Sequence, residues 1–432
     1  MRGESLVRYN EANGLAWNWT MQKISVDQLQ PGVFISLSNV GWLQHPFMLS
    51  EFCLSSEKQI QALKEMGLKE ISWDPARSTA KPLSAPAPAS DEEDFGSAAL
   101  AGMLDEKRSR IERVRVCREQ FARREREYEK DTATASDILK TVAGRPLEAY
   151  TQVKALVWRT TSGLIGAENE VVHLVNSKCK EVGPAAHSVN VMVLSLLLGK
   201  AMRLSEEEMK WLGMGALLHD AGKSEVPPRI LRSENRTKPE EDFYRAHVAY
   251  GIKVVAGIRE LGTPVRNIIA CHHECWDGSG YPNRLIAEKI PKLARIVALV
   301  NRYDNLCNPL DIKQARTPAG TILHLFKNEA ARFQPEMLQA FVKMLGIYPP
   351  GSFVTLSNGA VGLVIESNSG DILHPLLMLH DAEIPRAEAI LLDLRDADLT
   401  IVSAVNPATL PLAVVEYLAP RGRVDYYVEG AG

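Results

Sequence analysis

Five histidines and one aspartate in the middle of the chain have the residue types and spacing of a metal centre. These are His187, His219, Asp220, His247, His272 and His273. They include half of the ten histidines in the sequence. Imidazole and carboxylate ligands without a cysteine partner favour iron, manganese or zinc that performs chemistry over a closed structural zinc site. The set therefore predicts a metal-dependent active site.

The pair His219-Asp220 ends an apolar segment, residues 211–218, that is predicted to be a helix. Adjacent side chains on a helix point about 100° apart, so both can reach one metal region, and a carboxylate can bridge two ions. Lys223 follows within one turn, where its ammonium suits contact with a phosphate. Taken alone, these residues would fit an ordinary capped helix end equally well.

The pair His272-His273 follows another predicted helix, residues 265–271, and precedes a glycine-rich loop that ends in Gly280-Tyr281-Pro282. Glycine allows the backbone to turn and to approach a ligand closely, and Tyr-Pro adds a stiff aromatic edge. This loop, more than the histidine pair itself, indicates a functional site. His187 and His247 gain their meaning only as members of the set.

The elements that must position these residues predict a mainly α fold. Residues 150–345 are predicted to form an all-helical bundle, because apolar faces recur at helical spacing. Residues 21–75 predict a small α+β module, with short strands around a helix at 56–67. Residues 346–432 predict a small β-rich unit, with an Asn358-Gly359 hairpin signal and strand-like runs at 376–379, 389–394 and 414–417.

The remaining segments are predicted to connect these parts. Residues 1–20 are predicted to be a disordered lead or to precede an alternative start at Met21. Residues 76–98, rich in Pro, Ala and Ser and followed by acidic residues, predict a disordered linker. Residues 99–149 predict a charged connecting helix, which is solvated or forms a short coiled coil, and dimerisation through 103–130 is an open expectation.

Composition excludes several functional classes. The net charge of −3 gives no basic field for a nucleic acid polymer. No apolar run is long enough to span a bilayer. Six scattered cysteines predict reduced thiols and a cytoplasmic location.

The order of these motifs over residues 150–345 resembles that of the HD-GYP family. The closing motif H-H-E-x-x-D-G-x-G-Y-P matches without a gap from His272 to Pro282. Residues 21–75, with Trp42, His45-Pro46-Phe47 and Phe52, also resemble the uncharacterised module that often precedes HD-GYP domains. The resemblance implies an HD-type helical domain and a metal-dependent phosphodiesterase that hydrolyses cyclic di-GMP to pGpG, GMP or both.

The resemblance also implies roles for individual residues. Asp220 would bridge two divalent ions, iron or manganese. One ion would be held by His187 and His219, and the other by His247, His272 and His273. Lys223 would contact a phosphate. The rim would be shaped by Gly280, Tyr281 and Pro282, where the family also contacts GGDEF-type and other signalling proteins.

The chain departs from the family pattern after this motif. The family supplies a further metal ligand in the pattern D-x-x-D-A, and here Asn301 stands at the first aspartate and Asp304 at the second. The neutral amide of Asn301 is expected to be a weaker metal ligand than the aspartate carboxylate of the family. Where the family usually has an arginine, this chain has Leu310, although Lys313 matches a nearby basic position. Asp304 and Lys313 are candidate substrate contacts. Gly183 replaces a glutamate linked to a third metal, which predicts at most two ions.

Two functions from different classes follow from these departures. The first is an active phosphodiesterase with a loosened dinuclear site. The second is a degenerate domain that binds the nucleotide or a partner protein and signals without turnover. A third hypothesis, that Cys271 and Cys275 ligate zinc, would require the histidines to abandon the site described above.

Overall fold

The structure is a computed structural model that describes residues 21–40, 45–47, 50–84, 96–165, 169–175, 183–368, 371–382, 384, 386, 389–397, 399–419 and 424–431. The chain divides into two compact units, Met1–Arg118 with Ala382–Pro385 and Glu119–Asp381 with Arg386–Gly432. The predicted lead of residues 1–20 and the quoted Trp42 lie outside the described residues. Within the described ranges, no helix combines the length and apolar character needed to cross a bilayer.

The predicted α+β module is a four-stranded antiparallel sheet with one helix. Its strands are β1 (Gln22–Ser25), β2 (Phe34–Ser36), β3 (Glu51–Cys53) and β4 (Glu70–Trp73), in the order β1-β4-β2-β3. Helix α1 (Glu57–Glu65) buries Ile60 and Leu63 in the module core. Residues 76–84 differ from the predicted linker, because their backbone pairs with the module: Thr79 N–H donates to Gly32 O at 2.8 Å and Leu83 N–H to Gln28 O at 2.8 Å.

The charged segment that follows forms one long helix, α2 (Gly96–Thr141). After a short turn, α3 (Pro146–Ile165) begins with proline in its first turn, where the missing N–H costs no hydrogen bond. From Glu119 onward α2 belongs to the second compact unit, where Ala135 and Ile138 are fully buried.

The helical bundle predicted for residues 150–345 is confirmed as the core of the second unit. Its helices are α4 (Pro184–Ala201), α5 (Glu206–Leu218), α6 (Pro228–Leu231), α7 (Lys238–Arg245), α8 (His247–Val254), α9 (Thr263–Cys271), α10 (Lys292–Cys307), α11 (Pro318–Asn328) and α12 (Pro335–Leu345). Helix α4 is buried on nearly every side. An amphipathic pattern is therefore absent from α4, as expected for a central helix.

The C-terminal β-rich unit is also confirmed, but its sheet takes one strand from the segment predicted as helical. The strands are β5 (Asn169–Val175), β6 (Phe353–Leu356), β7 (Val361–Asn368), β8 (Asp371–Leu379), β9 (Leu391–Asp393), β10 (Ile401–Val405) and β11 (Asp425–Ala431). β5 pairs antiparallel with β11 and β7. The backbone N–H and C=O groups of the valine-rich β5 thus form their hydrogen bonds in the sheet rather than in a helix. Residues 414–417, expected as a strand, lie in helix α13 (Leu412–Leu418).

Candidate metal centre

Six of the predicted ligands, the five histidines and Asp220, come together at the ends of four helices. His187 lies in the first turn of α4, and His219 and Asp220 follow the last turn of α5. His247 is the first residue of α8. The pair His272-His273 directly follows α9. Loop backbone at these helix ends lets the side chains converge from several directions.

The Asp220 carboxylate lies at the middle of the cluster, and its two oxygens face different histidines. Oδ2 is 3.6 Å from His187 Nε2 and 3.3 Å from His219 Nε2. Oδ1 is 3.4 Å from His247 Nε2 and 3.7 Å from His272 Nε2.

Ligand atoms within each of two groups lie no more than 4.8 Å apart. One group contains His187, His219 and Asp220, and the other contains Asp220, His247, His272 and His273. The geometry therefore brings together the ligand sets that the sequence predicted, with Asp220 shared between them.

Hydrogen bonds on the outer side of the rings fix which nitrogen faces inward. His219 Nδ1–H donates to Ala216 O at 2.7 Å. His247 Nδ1–H donates to the carbonyl three residues earlier at 2.6 Å, and His272 does the same at 2.9 Å. These carbonyls lie in the last turns of their helices, where intrahelical hydrogen bonding is incomplete. They leave each Nε2 lone pair directed at the cluster, the arrangement of a metal-ligating histidine.

Several buried polar atoms of the cluster have no hydrogen-bond partner among the residues that the structure describes. They are Nε2 of His187, His219 and His273 and Oδ1 of Asp220. Buried nitrogen and oxygen atoms are rarely left unsatisfied, because each costs free energy to desolvate. Imidazole and carboxylate atoms that point at one another across such a small space fit divalent cations.

The electrostatics of the cluster agree with this fit. Burial lowers the pKa of His219, His272 and His273, and lowers the pKa of His247 to about 4. Burial alone would raise the pKa of Asp220, but His219 and the Lys223 ammonium outweigh it and hold this pKa well below its ordinary value. These directions favour an anionic Asp220 and neutral imidazoles at His219, His247, His272 and His273, the protonation states that metal binding requires.

Lys223 lies beside Oδ2 of Asp220, the carboxylate oxygen that also faces His187 and His219. Its Nζ is 2.5 Å from Asp220 Oδ2. Burial lowers the pKa of Lys223, but the Asp220 charge outweighs burial and raises it, so the ammonium stays charged. The side chain retains partial exposure, and the ammonium lies 5.7 Å from the centre of the Tyr244 ring. A cation at this edge of the cluster can meet an anionic ligand.

Gly222 lets the loop that carries Asp220 approach the helix that carries His247. A Cβ at Gly222 would lie 2.0 Å from His247 O and 2.2 Å from Gly251 N. Only hydrogen fits between these two backbones. This contact joins the two halves of the cluster.

The loop after His273 folds back over the cluster. A Cβ at Gly280 would lie 2.4 Å from Cys275 N, so glycine is required there as well. Tyr281 N–H donates to His273 O at 3.1 Å, and the Tyr281 ring stacks on the His273 ring with centroids 4.5 Å apart. The Arg245 guanidinium lies 4.9 Å from the centre of the Tyr281 ring. Together these groups form one rim of the site.

Glu274 has a role that the sequence reasoning did not assign. It is buried, and its two carboxylate oxygens accept hydrogen bonds from Asn283 N–H at 2.7 Å and Leu285 N–H at 2.9 Å. The carboxylate therefore holds the segment that follows Pro282. Its place beside the histidine pair was the only sequence signal for this role.

The predicted site residues on and after α10 differ in burial and in the groups they contact. Asp304 was predicted to contact substrate, but it is fully buried and its Oδ2 accepts from His187 Nδ1–H at 2.6 Å. Its carboxylate is thus placed to orient the His187 ring. Asn301 is buried one turn earlier, and its Oδ1 accepts from Asn305 Nδ2 at 2.6 Å. Lys313 is exposed in a short 3-10 helix, Ile312–Gln314, and Leu310 is also exposed.

The zinc hypothesis for the cysteines is not supported. Both metal-competent groups found among the described residues consist of histidine and aspartate only. Cys271 packs against Ile290 and Ala294, and Cys275 Sγ accepts a hydrogen bond from Arg332 at 3.4 Å. Cys53, Cys271, Cys275 and Cys307 are all free thiols.

Comparison with known proteins agrees with this site. Residues 167–337 match the HD domain family, and residues 21–153 match a domain of unknown function, DUF3391. A cyclic di-GMP phosphodiesterase of Pseudomonas aeruginosa is 29% identical over 374 residues, which cover 82% of this chain and 84% of that protein. The cyclic di-GMP phosphodiesterase response regulator RpfG of Xanthomonas campestris is 31% identical over 38% of this chain and 44% of its own length.

Among solved structures, an HD-GYP-type protein of Bdellovibrio bacteriovorus, Bd1817, matches 75% of this chain and 99% of its own, with a TM-score of 0.44 and 16% identity. The family matches confirm the resemblance seen in the motifs. Over residues 21–337 the chain is thus similar to a DUF3391 module followed by an HD domain.

Proposed function

We propose that this chain is a metal-dependent phosphodiesterase that hydrolyses cyclic di-GMP. The observation that carries the proposal is the Asp220 carboxylate, which lies between two groups of inward-facing histidines. The similarity to the Pseudomonas aeruginosa phosphodiesterase over most of both chains supports the same conclusion.

The proposed cofactors are two divalent ions, iron or manganese, because imidazole and carboxylate ligands suit both. When bound, they would polarise the phosphodiester and lower the pKa of a water nucleophile. His187 and His219 are the proposed ligands of one ion. His247, His272 and His273 are the proposed ligands of the other. Asp220 is proposed to bridge them, since each of its oxygens faces a different group.

The remaining residues are proposed to bind and orient the substrate. The Lys223 ammonium is available to a phosphate at the edge of the cluster that still has solvent access. The rim of Gly280, Tyr281 and Pro282 is proposed to hold the nucleotide against the His273 side of the site. Catalysis of this kind depends on positioning and electrostatics.

The test measures bound metal and cyclic di-GMP cleavage on one anaerobically purified sample of the full chain. We expect wild-type protein to retain metal and to convert the nucleotide to pGpG, GMP or both, with 3′3′-cGAMP as a comparison substrate. We expect Asp220→Asn to lower turnover by more than about 100-fold. Asp242→Asn, an exposed carboxylate on α7, is the matched control and keeps both properties. Wild-type turnover in Asp220→Asn would refute the proposal.

The second candidate function is a sensor that binds the nucleotide without turnover. Asn301 favours it, because this buried amide stands where the family has an aspartate ligand and its Oδ1 already accepts a hydrogen bond from Asn305. Tight cyclic di-GMP binding by the metal-loaded wild-type chain, with no product formed, would support the sensor over the enzyme.

Partner and compartment are further proposals. The rim loop, residues 278–282, is the proposed contact for GGDEF-type or other signalling proteins, and residues 103–130 of α2 are the proposed dimer contact. The cytoplasm is the proposed compartment, which the four free thiols support because thiols persist where the environment is reducing.

A further inference from the structure

His187 differs from the other ligands in how its outer nitrogen is satisfied. His219, His247 and His272 each donate to a backbone carbonyl three residues earlier. His187 lies in the first turn of α4, where the free backbone groups are N–H donors rather than carbonyls. Its Nδ1–H therefore donates to a side chain of another helix, the Asp304 carboxylate of α10, at 2.6 Å.

Two amides hold the Asp304 carboxylate in place from the opposite side. Asn190 Nδ2 and Asn308 Nδ2 each donate to Asp304 Oδ1 at 3.0 Å. Asn190 lies three residues after His187, on the same face of α4. Asn308 follows the last residue of α10. With Oδ1 occupied by two donors, Oδ2 is left to accept the proton of His187.

Both amides are held in turn by the start of strand β11. Asn308 Nδ2 donates to Val424 O at 2.8 Å, and its Oδ1 accepts from Val424 N–H at 3.0 Å. Asn190 Oδ1 accepts from Tyr426 N–H at 3.2 Å. Val424, Tyr426, Asn190 and Asn308 are all buried. The chain of hydrogen bonds thus runs from the β-rich unit to His187 without crossing solvent.

We infer that Asn190 and Asn308 are positioning residues, and that β11 completes the His187 half of the metal centre through them. A fixed Asp304 carboxylate holds the proton on His187 Nδ1 and directs the Nε2 lone pair at Asp220. The β-rich unit is then part of the catalytic unit rather than an appendage. The inference rests on the proposed function only in requiring that the cluster binds metal.

The test titrates the metal-free full chain with Mn²⁺ and follows the two binding steps by calorimetry. Asn308→Ala removes one donor to Asp304 and both bonds to Val424. We expect it to weaken one metal equivalent by about 10–100-fold and to leave the other unchanged, because changes to the partners of ligands have effects of that size. Asn190→Ala removes the second amide donor to Asp304, which lies on α4. We expect this variant also to weaken one metal equivalent and to leave the other unchanged.

Tyr303→Phe is the matched control. The Tyr303 and Tyr426 hydroxyls lie 2.8 Å apart, so this variant removes a buried hydrogen bond between α10 and β11 but none to Asp304. We expect it to keep both metal equivalents. If Tyr303→Phe weakens metal binding as much as Asn308→Ala does, general loosening explains the effect and the inference is wrong.

A second measurement observes the intact network in the wild-type chain. In ¹⁵N spectra of wild-type, metal-free protein with labelled histidines, the His187 signal, assigned with His187→Gln, should show the proton on Nδ1. A proton on Nε2 would overturn the inference. Full binding of two equivalents without hydrolysis would contradict the proposed function but not the inference. Unchanged binding in Asn308→Ala, with hydrolysis intact, would contradict the inference alone.

Discussion

Replacing Gly222 by alanine is expected to separate the two halves of the metal centre. The added methyl would lie 2.0 Å from His247 O and 2.2 Å from Gly251 N, whereas ordinary contact begins at 3.4 Å. Both neighbours are backbone, so no side chain can rotate away, and the loop and α8 must part by about 1.4 Å, the difference between 3.4 and 2.0 Å. Asp220 would then move from His247, which lies 3.4 Å from its Oδ1.

A misplacement of about 1 Å in an active site can lower the rate about 100-fold, and overpacking costs about 1–3 kcal/mol of stability. We therefore expect Gly222→Ala to lose about 100-fold in cyclic di-GMP turnover and part of its bound metal, while remaining folded. Anaerobic hydrolysis assays, metal analysis and urea unfolding measure the three quantities. The control is Gly163→Ala, an exposed helical position where the methyl meets nothing within 4 Å. Gly222→Ala with full metal and wild-type turnover would refute the reasoning.

Three more changes have defined outcomes. Asn301→Asp adds a negative charge at the expected ligand position, and should raise metal occupancy and hydrolysis; equal metal content and rates in variant and parent would show that Asn301 is no defect. Glu274→Gln leaves one backbone N–H without a carboxylate acceptor, and urea unfolding should show a loss of about 1–3 kcal/mol, with no loss if the loop is held otherwise. Burial would raise the pKa of Glu329, but Arg302 and Arg332 lower it to about 2. Because this pKa is depressed on folding, its contribution to stability is present above about pH 4.5 and is lost as the pH falls towards 2. Glu329→Gln should flatten the acid limb of the stability profile in that window, and an unchanged profile would count against the ion cluster.

The residues that gather in the histidine-aspartate cluster could be predicted from the sequence because helix ends and the glycine-tyrosine-proline loop have strong local signals. His219 follows an apolar helix and His272 follows another, so their placement at helix ends required no tertiary information. Asp304 could not be assigned in the same way. Its role depends on which atom of another helix lies 2.6 Å away, and periodicity carries no such information.

The secondary structure shows the same limit. The valine-rich segment 169–175 forms a strand because β11 and β7 supply hydrogen-bond partners from distant parts of the chain. Residues 414–417 have strand propensity but form part of α13, which follows Pro411 and is capped by ordinary helical bonds. In both places the tertiary environment, rather than local propensity, decides the structure.

The pairing of β5 with β11 has a consequence for the order of folding. Val175 lies opposite Asp425, 250 positions later by subtraction, whereas the helix pairs of the bundle, such as α4 with α5 and α4 with α10, join segments that are closer in the sequence. Closing so long a loop costs entropy before any contact rewards it, so we expect the helices to associate first and this strand pair to form late. A molecule trapped between the two steps would hold a formed bundle in which β11 does not yet fix the two amides that position Asp304. Metal loading would then report the last stage of maturation.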